Sequence, residues 1–194
     1  CWTIRRSCTC FIYGFHFMKK KNLTVEETFD LAVQNHNKNN FQIAENLYKE
    51  ALKTNPNHFK SIYYLGTLLA QTKKFDLAKL LFHKAIQIQP NYAMAHNNLG
   101  NVLQKLGENQ KAISSLKKAI QIQPNYAMAH NNLGTVLQEL GEHQKAISSY
   151  QMAVKYEPEN LTHLYHLSRL DEKILNPDLK NKIYEIIEKN SSTK

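Results

Sequence analysis

Residues Ala93–Pro124 read AMAHNNLGNVLQKLGENQKAISSLKKAIQIQP, and residues Ala127–Pro158 repeat this stretch with few changes. Prolines recur at intervals of 34 residues, at Pro56, Pro90, Pro124 and Pro158. Self-similarity at a fixed period of this length is typical of a stacked repeat architecture. Because one such unit cannot bury its apolar face alone, neighbouring units have to stack and share a core. The period therefore predicts a solenoid.

Each unit contains two groups of apolar residues at helical spacing, separated by a break. In the clearest copy the groups are Leu99, Leu103 and Leu106, then Ala112, Ile113, Leu116, Ala119 and Ile120. Gly107 and Gly141 stand just past the first group, where a residue in the left-handed conformation ends a helix at low cost, and Asn39 holds the same place in the first unit. Each recurring proline ends the second helix, because it lacks an N–H group. Each unit is therefore predicted to be a pair of helices.

Small and polar residues at fixed places predict how the helices begin and pack. Thr24 and Glu27 have the spacing of a capping box at the first helix. Three units have a glycine at the same place in the first helix, at Gly66, Gly100 and Gly134. These glycines are expected to face Ala78, Ala112 and Ala146 of the second helix, so that the paired helices can approach closely. Asparagines after the prolines are expected to cap the next helix; they are Asn57, Asn91, Asn125 and Asn160.

The pattern resembles the tetratricopeptide repeat family, because leucine, glycine, alanine, a large residue and proline recur together at the family's offsets. The resemblance covers about Thr24 to Pro158, within a segment 22–158. It implies an all-α fold, a right-handed α-solenoid of stacked antiparallel helix pairs. The four repeats are expected at about 25–58, 59–92, 93–126 and 127–160. The sequence departs from the family at its large aromatic position, which holds Thr28, Ile62, His96 and His130.

The two ends of the chain differ from the repeats. Residues 1–21 are interpreted as a leader outside the fold, non-native or disordered, with the native start expected at Met18 and an artefact upstream of it. A degraded export signal is the alternative interpretation. Residues 159–190 are predicted to form a divergent repeat or capping helices, whose last helix starts after Asn176. Its buried stripe is expected to be Leu179, Ile183, Ile186 and Ile187. Residues 191–194 form a polar tail.

The net charge of +9 is uneven along the chain. Residues 1–21 carry five basic groups and no acid, so the repeat body is only mildly basic. We therefore expect no nucleic acid partner. No membrane partner is expected either, because the apolar run Phe11–Met18 is too short to span a bilayer. All three cysteines fall in the leader, at Cys1, Cys8 and Cys10, and nothing in the repeats requires an oxidising compartment. A cytoplasmic location follows as the expectation.

No phosphate-binding, serine-nucleophile or zinc-protease motif occurs in the sequence. His96 and His130 stand one repeat apart, and His163 and His166 stand three residues apart without an evident third ligand. Packing is the favoured interpretation of these histidines. No metal, no cofactor and no catalytic residue are predicted, and the chain is not expected to be an enzyme.

The first helix of each tetratricopeptide repeat lines the concave face, so the resemblance predicts a polar peptide-binding groove there. Amide side chains dominate it, and each offers donors and an acceptor to an extended peptide. The predicted peptide-binding residues are Tyr63, Tyr64, Thr67, Asn97, Asn98, Asn101, Gln104, Lys105, Asn131, Asn132, Thr135 and Gln138. Asn98 and Asn132 match the asparagine ladder in the repeat arm of O-GlcNAc transferase. A solvated helix surface is the alternative interpretation.

Two functions stay open at this stage. The first is a non-catalytic interaction module that binds a protein or an extended peptide segment in its groove. The second is the substrate-recruiting arm of a larger transferase, either a glycosyltransferase or a sulfotransferase. The repeats resemble the repeat arm of O-GlcNAc transferase and the repeats of bacterial repeat–sulfotransferase proteins. The sequence leaves self-association open.

Overall fold

The computed structural model describes residues 23–170, together with Asn181 and Glu185. Within that part the secondary structure is helical throughout, and the chain divides into two compact units after His58. Three predicted parts lie outside the described residues: the leader with its three cysteines, the stripe residues Leu179, Ile183, Ile186 and Ile187, and the tail 191–194. No helix in the described part is both long enough and apolar enough to cross a membrane.

The described part of the first unit is one helix pair, α1 (Val25–Asn37) and α2 (Phe41–Thr54). The capping box predicted at its start is confirmed. The Thr24 hydroxyl accepts a hydrogen bond from the Glu27 N–H at 3.2 Å, and the Glu27 carboxylate accepts one from the Thr24 N–H at 2.9 Å. The two helices pack through Phe29, Ala32 and Tyr48, which are all buried.

The second unit contains three further helix pairs and one more helix. They are α3 (Phe59–Gln71), α4 (Phe75–Ile88), α5 (Ala93–Lys105), α6 (Asn109–Ile122), α7 (Ala127–Glu139), α8 (His143–Tyr156) and α9 (Leu161–Leu170). Each helix packs on its sequence neighbour, and α5 also contacts α3 and α7. Short turns join the helices of a pair, so they run antiparallel. The predicted fold class, a solenoid of stacked helix pairs, is confirmed.

The helices of a pair meet where a glycine of the first faces a large side chain of the second. A Cβ atom added to Gly100 would lie 2.5 Å from Leu116 Cγ, one on Gly134 would lie 2.7 Å from Tyr150, and one on Gly66 3.0 Å from Phe82. The sequence predicted the close approach but named alanines as the facing residues. The nearest side chains are instead the large ones four residues further along, since these fill the space that the absent Cβ leaves.

Four turns between paired helices share one hydrogen-bond pattern. At the end of α5, the Glu108 N–H bonds the Leu103 carbonyl at 2.8 Å and the Gly107 N–H bonds the Gln104 carbonyl at 2.9 Å. This arrangement needs a left-handed residue after the helix. The predicted residues adopt it, with φ of 75° at Gly107 and Gly141 and 60° at Asn39. Lys73 also has a φ of 60°, which the sequence did not indicate.

The predicted asparagine caps are only partly correct. Asn160 does cap α9, because its side-chain oxygen accepts a hydrogen bond from the Thr162 N–H at 3.1 Å. At α5 and α7 the residues that precede the helix are Tyr92 and Tyr126, and neither makes a side-chain capping bond. Asn91 and Asn125 therefore stand one residue too early to serve as caps. The prediction for those two residues is wrong.

Candidate peptide-binding face

The predicted binding residues lie on α3, α5 and α7, the first helices of three pairs in the second unit. Because α5 contacts both α3 and α7, side chains at equivalent places on these helices form rows across the pairs. We call this surface the first-helix face. Its half-buried or exposed members among the predicted residues are Tyr63, Tyr64, Thr67, Asn98, Asn101, Gln104, Lys105, Asn132, Thr135 and Gln138.

Two of the predicted residues are not on the exposed surface. Asn97 is fully buried and Asn131 is only 7% exposed, so the structure differs from the expectation that both line an open groove. The reason is their place on the helix. Each precedes by one residue the asparagine that faces outward, and that step turns the side chain toward the neighbouring helix.

The buried Asn97 links outward-facing residues of three helices into one hydrogen-bonded series. Asn132 Nδ2 donates to Asn97 Oδ1 at 2.8 Å, Asn97 Nδ2 donates to Asn98 Oδ1 at 3.2 Å, and Asn98 Nδ2 donates to the Tyr63 hydroxyl at 3.0 Å. We call these four residues the amide chain. Each internal bond fixes the orientation of an amide, and every amide keeps further donor or acceptor capacity. The amide chain thus presents polar groups whose orientation is already fixed.

The amide chain does not continue to the next helix. The residue of α9 equivalent to Asn132 is His166, which stacks on Tyr150 at a centroid distance of 5.4 Å. Asn131 Oδ1 is buried and accepts no hydrogen bond in the described part of the chain.

Aromatic side chains surround the Tyr63 end of the amide chain. The Tyr63 ring lies 5.1 Å from Tyr92, 5.5 Å from Tyr64 and 6.3 Å from Phe59, measured between ring centroids. Burial raises the pKa of the Tyr63 and Tyr92 phenols above the ordinary value for tyrosine. Both hydroxyl groups therefore stay neutral at physiological pH. Tyr92 was not predicted as part of the site, because it precedes α5 and lies between two repeats.

A cavity of about 280 Å³ opens beside the amide chain, among α3, α4 and α5. Its apolar lining comes from Ala70, Phe75, Phe82 and Val102, and its polar lining from Thr67, Gln71, Asn98, Asn101 and Lys105. Four of the predicted residues therefore border a cavity that the sequence did not indicate. The cavity could have been predicted by comparing the residues at positions 70 and 82 with their equivalents in the other repeats.

Charged residues cluster around a second cavity, between α4 and α6. Lys79 reaches from α4 to the Glu108 carboxylate at 2.8 Å, and Lys111 on α6 approaches the same carboxylate. These hydrogen bonds, first from Lys111 and then from Lys79, lower the pKa of Glu108 to about 2. The cluster joins α4 to the start of α6, the second helices of two consecutive pairs.

The histidines considered as ligands have structural partners. His96 Nε2 donates to the Pro90 carbonyl at 2.9 Å, and His130 Nε2 donates to the Pro124 carbonyl at 2.9 Å. His163 donates to the Glu157 carboxylate at 3.1 Å. In the part of the chain that the structure describes, no three histidine, cysteine, aspartate or glutamate side chains come together as a metal site requires.

Sequence comparison identifies the class to which this arrangement belongs. Residues 91–156 match the model of the tetratricopeptide repeat family, and residues 37–119 match the model of subunit 3 of the anaphase-promoting complex, or cyclosome. Together with the stacked helix pairs, these matches define a helical-repeat protein. Residues 91–156 of the chain therefore contain tetratricopeptide repeats. No curated protein sequence matches it.

Solved structures with the same fold cover most of the chain. A crystal structure of MamA is 26% identical, covers 86% of this chain and 92% of its own, and superposes with a TM-score of 0.70. MamA from Desulfovibrio magneticus RS-1 is 22% identical, with coverages of 87% and 96% and a TM-score of 0.72. YrrB, described as a TPR protein with an unusual peptide-binding site, is 19% identical, with coverages of 93% and 93% and a TM-score of 0.66.

None of these matches is a transferase by its description. The resemblance of the repeats to the arm of O-GlcNAc transferase and to bacterial repeat–sulfotransferase proteins therefore stays a prediction. The repeats themselves are confirmed.

Proposed function

We propose that this protein is a non-catalytic scaffold, which binds an extended segment of a partner protein along the first-helix face of its second unit. The observation that carries this proposal is the amide chain. Its members are held by hydrogen bonds to one another across three helices, from Asn132 to Tyr63. A binding surface whose side chains are already oriented loses less conformational entropy when a ligand binds.

The geometry suits the main chain of a peptide better than one particular side chain. Asn98 and Asn132 each keep one N–H and acceptor capacity after their internal bonds, and both are half-buried. Within the described residues, Asn101 makes no side-chain hydrogen bond, so its whole amide is available. An amide that donates and accepts can pair with the N–H and C=O groups that an extended segment repeats along its length. YrrB has the same fold, and peptide binding in that protein is consistent with the ligand proposed here.

The test is a selection of peptides on the complete chain, followed by substitution of the face. Random dodecapeptides displayed on phage would be selected, and the affinity of the enriched peptides measured by fluorescence anisotropy. We expect Asn101→Ala to weaken binding several-fold and the Asn98→Ala, Asn132→Ala double variant to weaken it tenfold or more. The reason is that one hydrogen bond contributes roughly 1 kcal/mol, and 1.4 kcal/mol corresponds to a factor of ten.

A matched control removes two amides from the other helices. Gln110 and Gln144 are exposed and stand at equivalent positions at the start of α6 and α8. The Gln110→Ala, Gln144→Ala variant should keep the affinity of the unmodified protein. Failure to enrich any peptide, or equal losses in the control and the asparagine variants, would contradict the proposal. Circular dichroism at the assay temperature checks that each variant is folded.

A further inference from the structure

The second and fourth repeats differ at the place where the cavity lies. In the fourth repeat the Tyr150 hydroxyl on α8 donates to Gln138 Oε1 at 2.9 Å and lies 3.2 Å from Thr135 Oγ1. Both partners are on α7, the first helix of this repeat, and Gln138 near the end of α7 covers the Tyr150 hydroxyl group. The first repeat has a similar pair, because the Tyr48 hydroxyl lies 3.3 Å from His36 Nδ1.

The second repeat lacks both members of this pair. Phe82 stands in the place of Tyr150 and carries no hydroxyl group, and Ala70 stands in the place of Gln138. Thr67, which corresponds to Thr135, is retained and borders the cavity with them. The tyrosine hydroxyl and the glutamine side chain that occupy this place in the fourth repeat are therefore absent from the second, and the space that they leave is part of the cavity.

The third repeat shows a different solution. Gln104 is present there, but Leu116 stands in the place of the tyrosine and offers no hydroxyl group. Gln104 donates instead to the Glu139 carboxylate at 2.7 Å. Among these repeats, both changes that open the space, alanine near the end of the first helix and phenylalanine on the second, occur together only in the second.

Size and lining define what the cavity can hold. Its volume of about 280 Å³ lies just below the range of roughly 300–1,000 Å³ that holds whole small ligands, so one large side chain is the better fit. Apolar walls favour an aliphatic or aromatic group, whose burial is favourable. Lys105 is the charged residue in the lining, is exposed, and forms no ion pair within the described residues. Its charge favours an acidic group beside the cavity.

We propose that this cavity takes an aliphatic or aromatic side chain from an internal segment of the partner protein, and that an adjacent aspartate or glutamate of that segment pairs with Lys105. This inference rests on the proposed function and specifies the ligand. The segment is internal because the first-helix face continues on both sides of the cavity, to Tyr64 on α3 and to Asn132 on α7. The residues equivalent to Lys105 on α3 and α7 are Gln71 and Glu139, and neither is basic. Among these three helices, an acidic residue of the partner segment is therefore favoured only beside α5, and this pairing fixes the register of the segment.

Three peptides and two variants test this proposal. The probe is an acetylated and amidated octapeptide with leucine followed by glutamate at its centre, and glycine and serine elsewhere. One matched peptide has alanine in place of the leucine, and another has glutamine in place of the glutamate. Binding is measured by two-dimensional NMR titration of the complete chain at millimolar peptide. The alanine peptide should bind roughly tenfold or more weakly than the probe.

The first variant gives the second repeat the side chains of the fourth. The double variant Ala70→Gln, Phe82→Tyr should occupy the part of the cavity beside Thr67. This cavity-filling variant should bind the probe no better than the unmodified chain binds the alanine peptide. The second variant, Lys105→Gln, introduces the residue that stands at position 71 and should abolish the preference for glutamate over glutamine. Probe affinity unchanged by the cavity-filling variant would overturn the proposal.

A measurement on the unmodified chain covers the case in which the double variant does not fold. Nuclear Overhauser contacts should connect the leucine methyl groups of the probe to the Ala70 methyl group and the Phe75 ring. Contacts to other parts of the protein would overturn the proposal. Selected peptides that depend on Asn101 but ignore the cavity-filling variant would leave the scaffold function standing and remove only the cavity. If neither the selected peptides nor the probe bind, both proposals fail.

Discussion

The helix pairs meet at a single residue position, the glycine on each first helix. At Gly100 a Cβ atom would lie 2.5 Å from Leu116 Cγ, an atom close to the backbone of α6 that cannot simply swing away. At Gly66 the contact is 3.0 Å, to the outer edge of the Phe82 ring. The same substitution should therefore have different consequences at the two positions.

We expect Gly100→Ala to destabilise the protein and Gly66→Ala to be close to neutral. Alanine gains roughly 1 kcal/mol over glycine inside a helix, but overpacking costs about 1–3 kcal/mol. At Gly100 the overpacking should exceed the gain, whereas at Gly66 the two should nearly cancel. Urea denaturation followed by circular dichroism measures both variants. Equal midpoints for Gly100→Ala and the unmodified chain would show that Leu116 repacks without cost.

At the scale of single elements, the turn after α3 is the least well matched to its sequence. Lys73 holds a left-handed φ of 60° in the place that Gly107 and Gly141 occupy in later repeats. The left-handed conformation costs about 1–2 kcal/mol for a residue with a Cβ atom, and a change to glycine removes this cost. Part of the resulting gain in stability is lost, because glycine also raises the conformational entropy of the unfolded chain. We expect Lys73→Gly to raise the free energy of unfolding by about 0.5–1 kcal/mol.

The control for this variant is Lys74→Gly, one residue further along. Lys74 is exposed like Lys73 but has a φ of −86°, so glycine there relieves no left-handed strain and should change the stability less than Lys73→Gly does. Thermal melts of the two variants separate the backbone effect from the loss of a surface charge. Parallel shifts in both would contradict the explanation.

The start of α6 predicts a dependence of stability on pH. Hydrogen bonds from Lys111 and Lys79 lower the pKa of Glu108 to about 2, below its ordinary value of 4.5. The contribution of this carboxylate to stability is therefore present above about pH 4.5 and lost as the pH falls toward 2. We expect Glu108→Gln to be less stable than the unmodified protein at pH 6, with the difference shrinking between pH 5 and pH 3.

Urea midpoints at pH 6 and pH 3 measure this effect. Asp76→Asn is the control, because Asp76 is 82% exposed and lies 3.9 Å from Lys79, and an exposed ion pair of this length contributes little to stability. A gap between Glu108→Gln and the unmodified chain that stays constant over this range would contradict the assignment of the lowered pKa.

Sequence patterns predicted the elements well and the contacts between side chains poorly. The period, the prolines and the left-handed turns at Asn39, Gly107 and Gly141 determined the helix pairs, because each is a local requirement of the backbone. The burial of Asn97 and the cavity beside Phe82 were not predicted, because both depend on which neighbouring helix a side chain meets. The first-helix residues could be placed on one face, but one step along a helix decides whether an asparagine is buried or exposed.

On the scale of the second unit, first and second helices are packed differently. Helix α5 packs against α3, α4, α6 and α7, and α7 packs against α5, α6, α8 and α9. The second helices α6 and α8 each pack against the two helices next to them in sequence. More neighbours mean that more contacts break when a helix opens, so its amides exchange more slowly.

We expect hydrogen exchange to alternate along the chain, with amides of α5 and α7 more protected than those of α6 and α8. Exchange measured by mass spectrometry under native conditions, with peptides that separate the four helices, tests this pattern. The peptides have similar lengths and helical content, so each first helix has its own second helix as a control. A smooth gradient without alternation would indicate that repeats open as whole pairs.

The near-identity of the third and fourth repeats has a consequence for the gene. Residues 84–100 and 118–134 are identical over all seventeen positions, and this stretch runs from the end of one second helix into the middle of the next first helix. Recombination between matching codons there would delete or duplicate a whole 34-residue unit and keep the reading frame. The join would fall inside a sequence present in both copies, so the residues at the junction itself would be unchanged. Arrays of this kind can change length in one genetic event and keep the sequence at the seam.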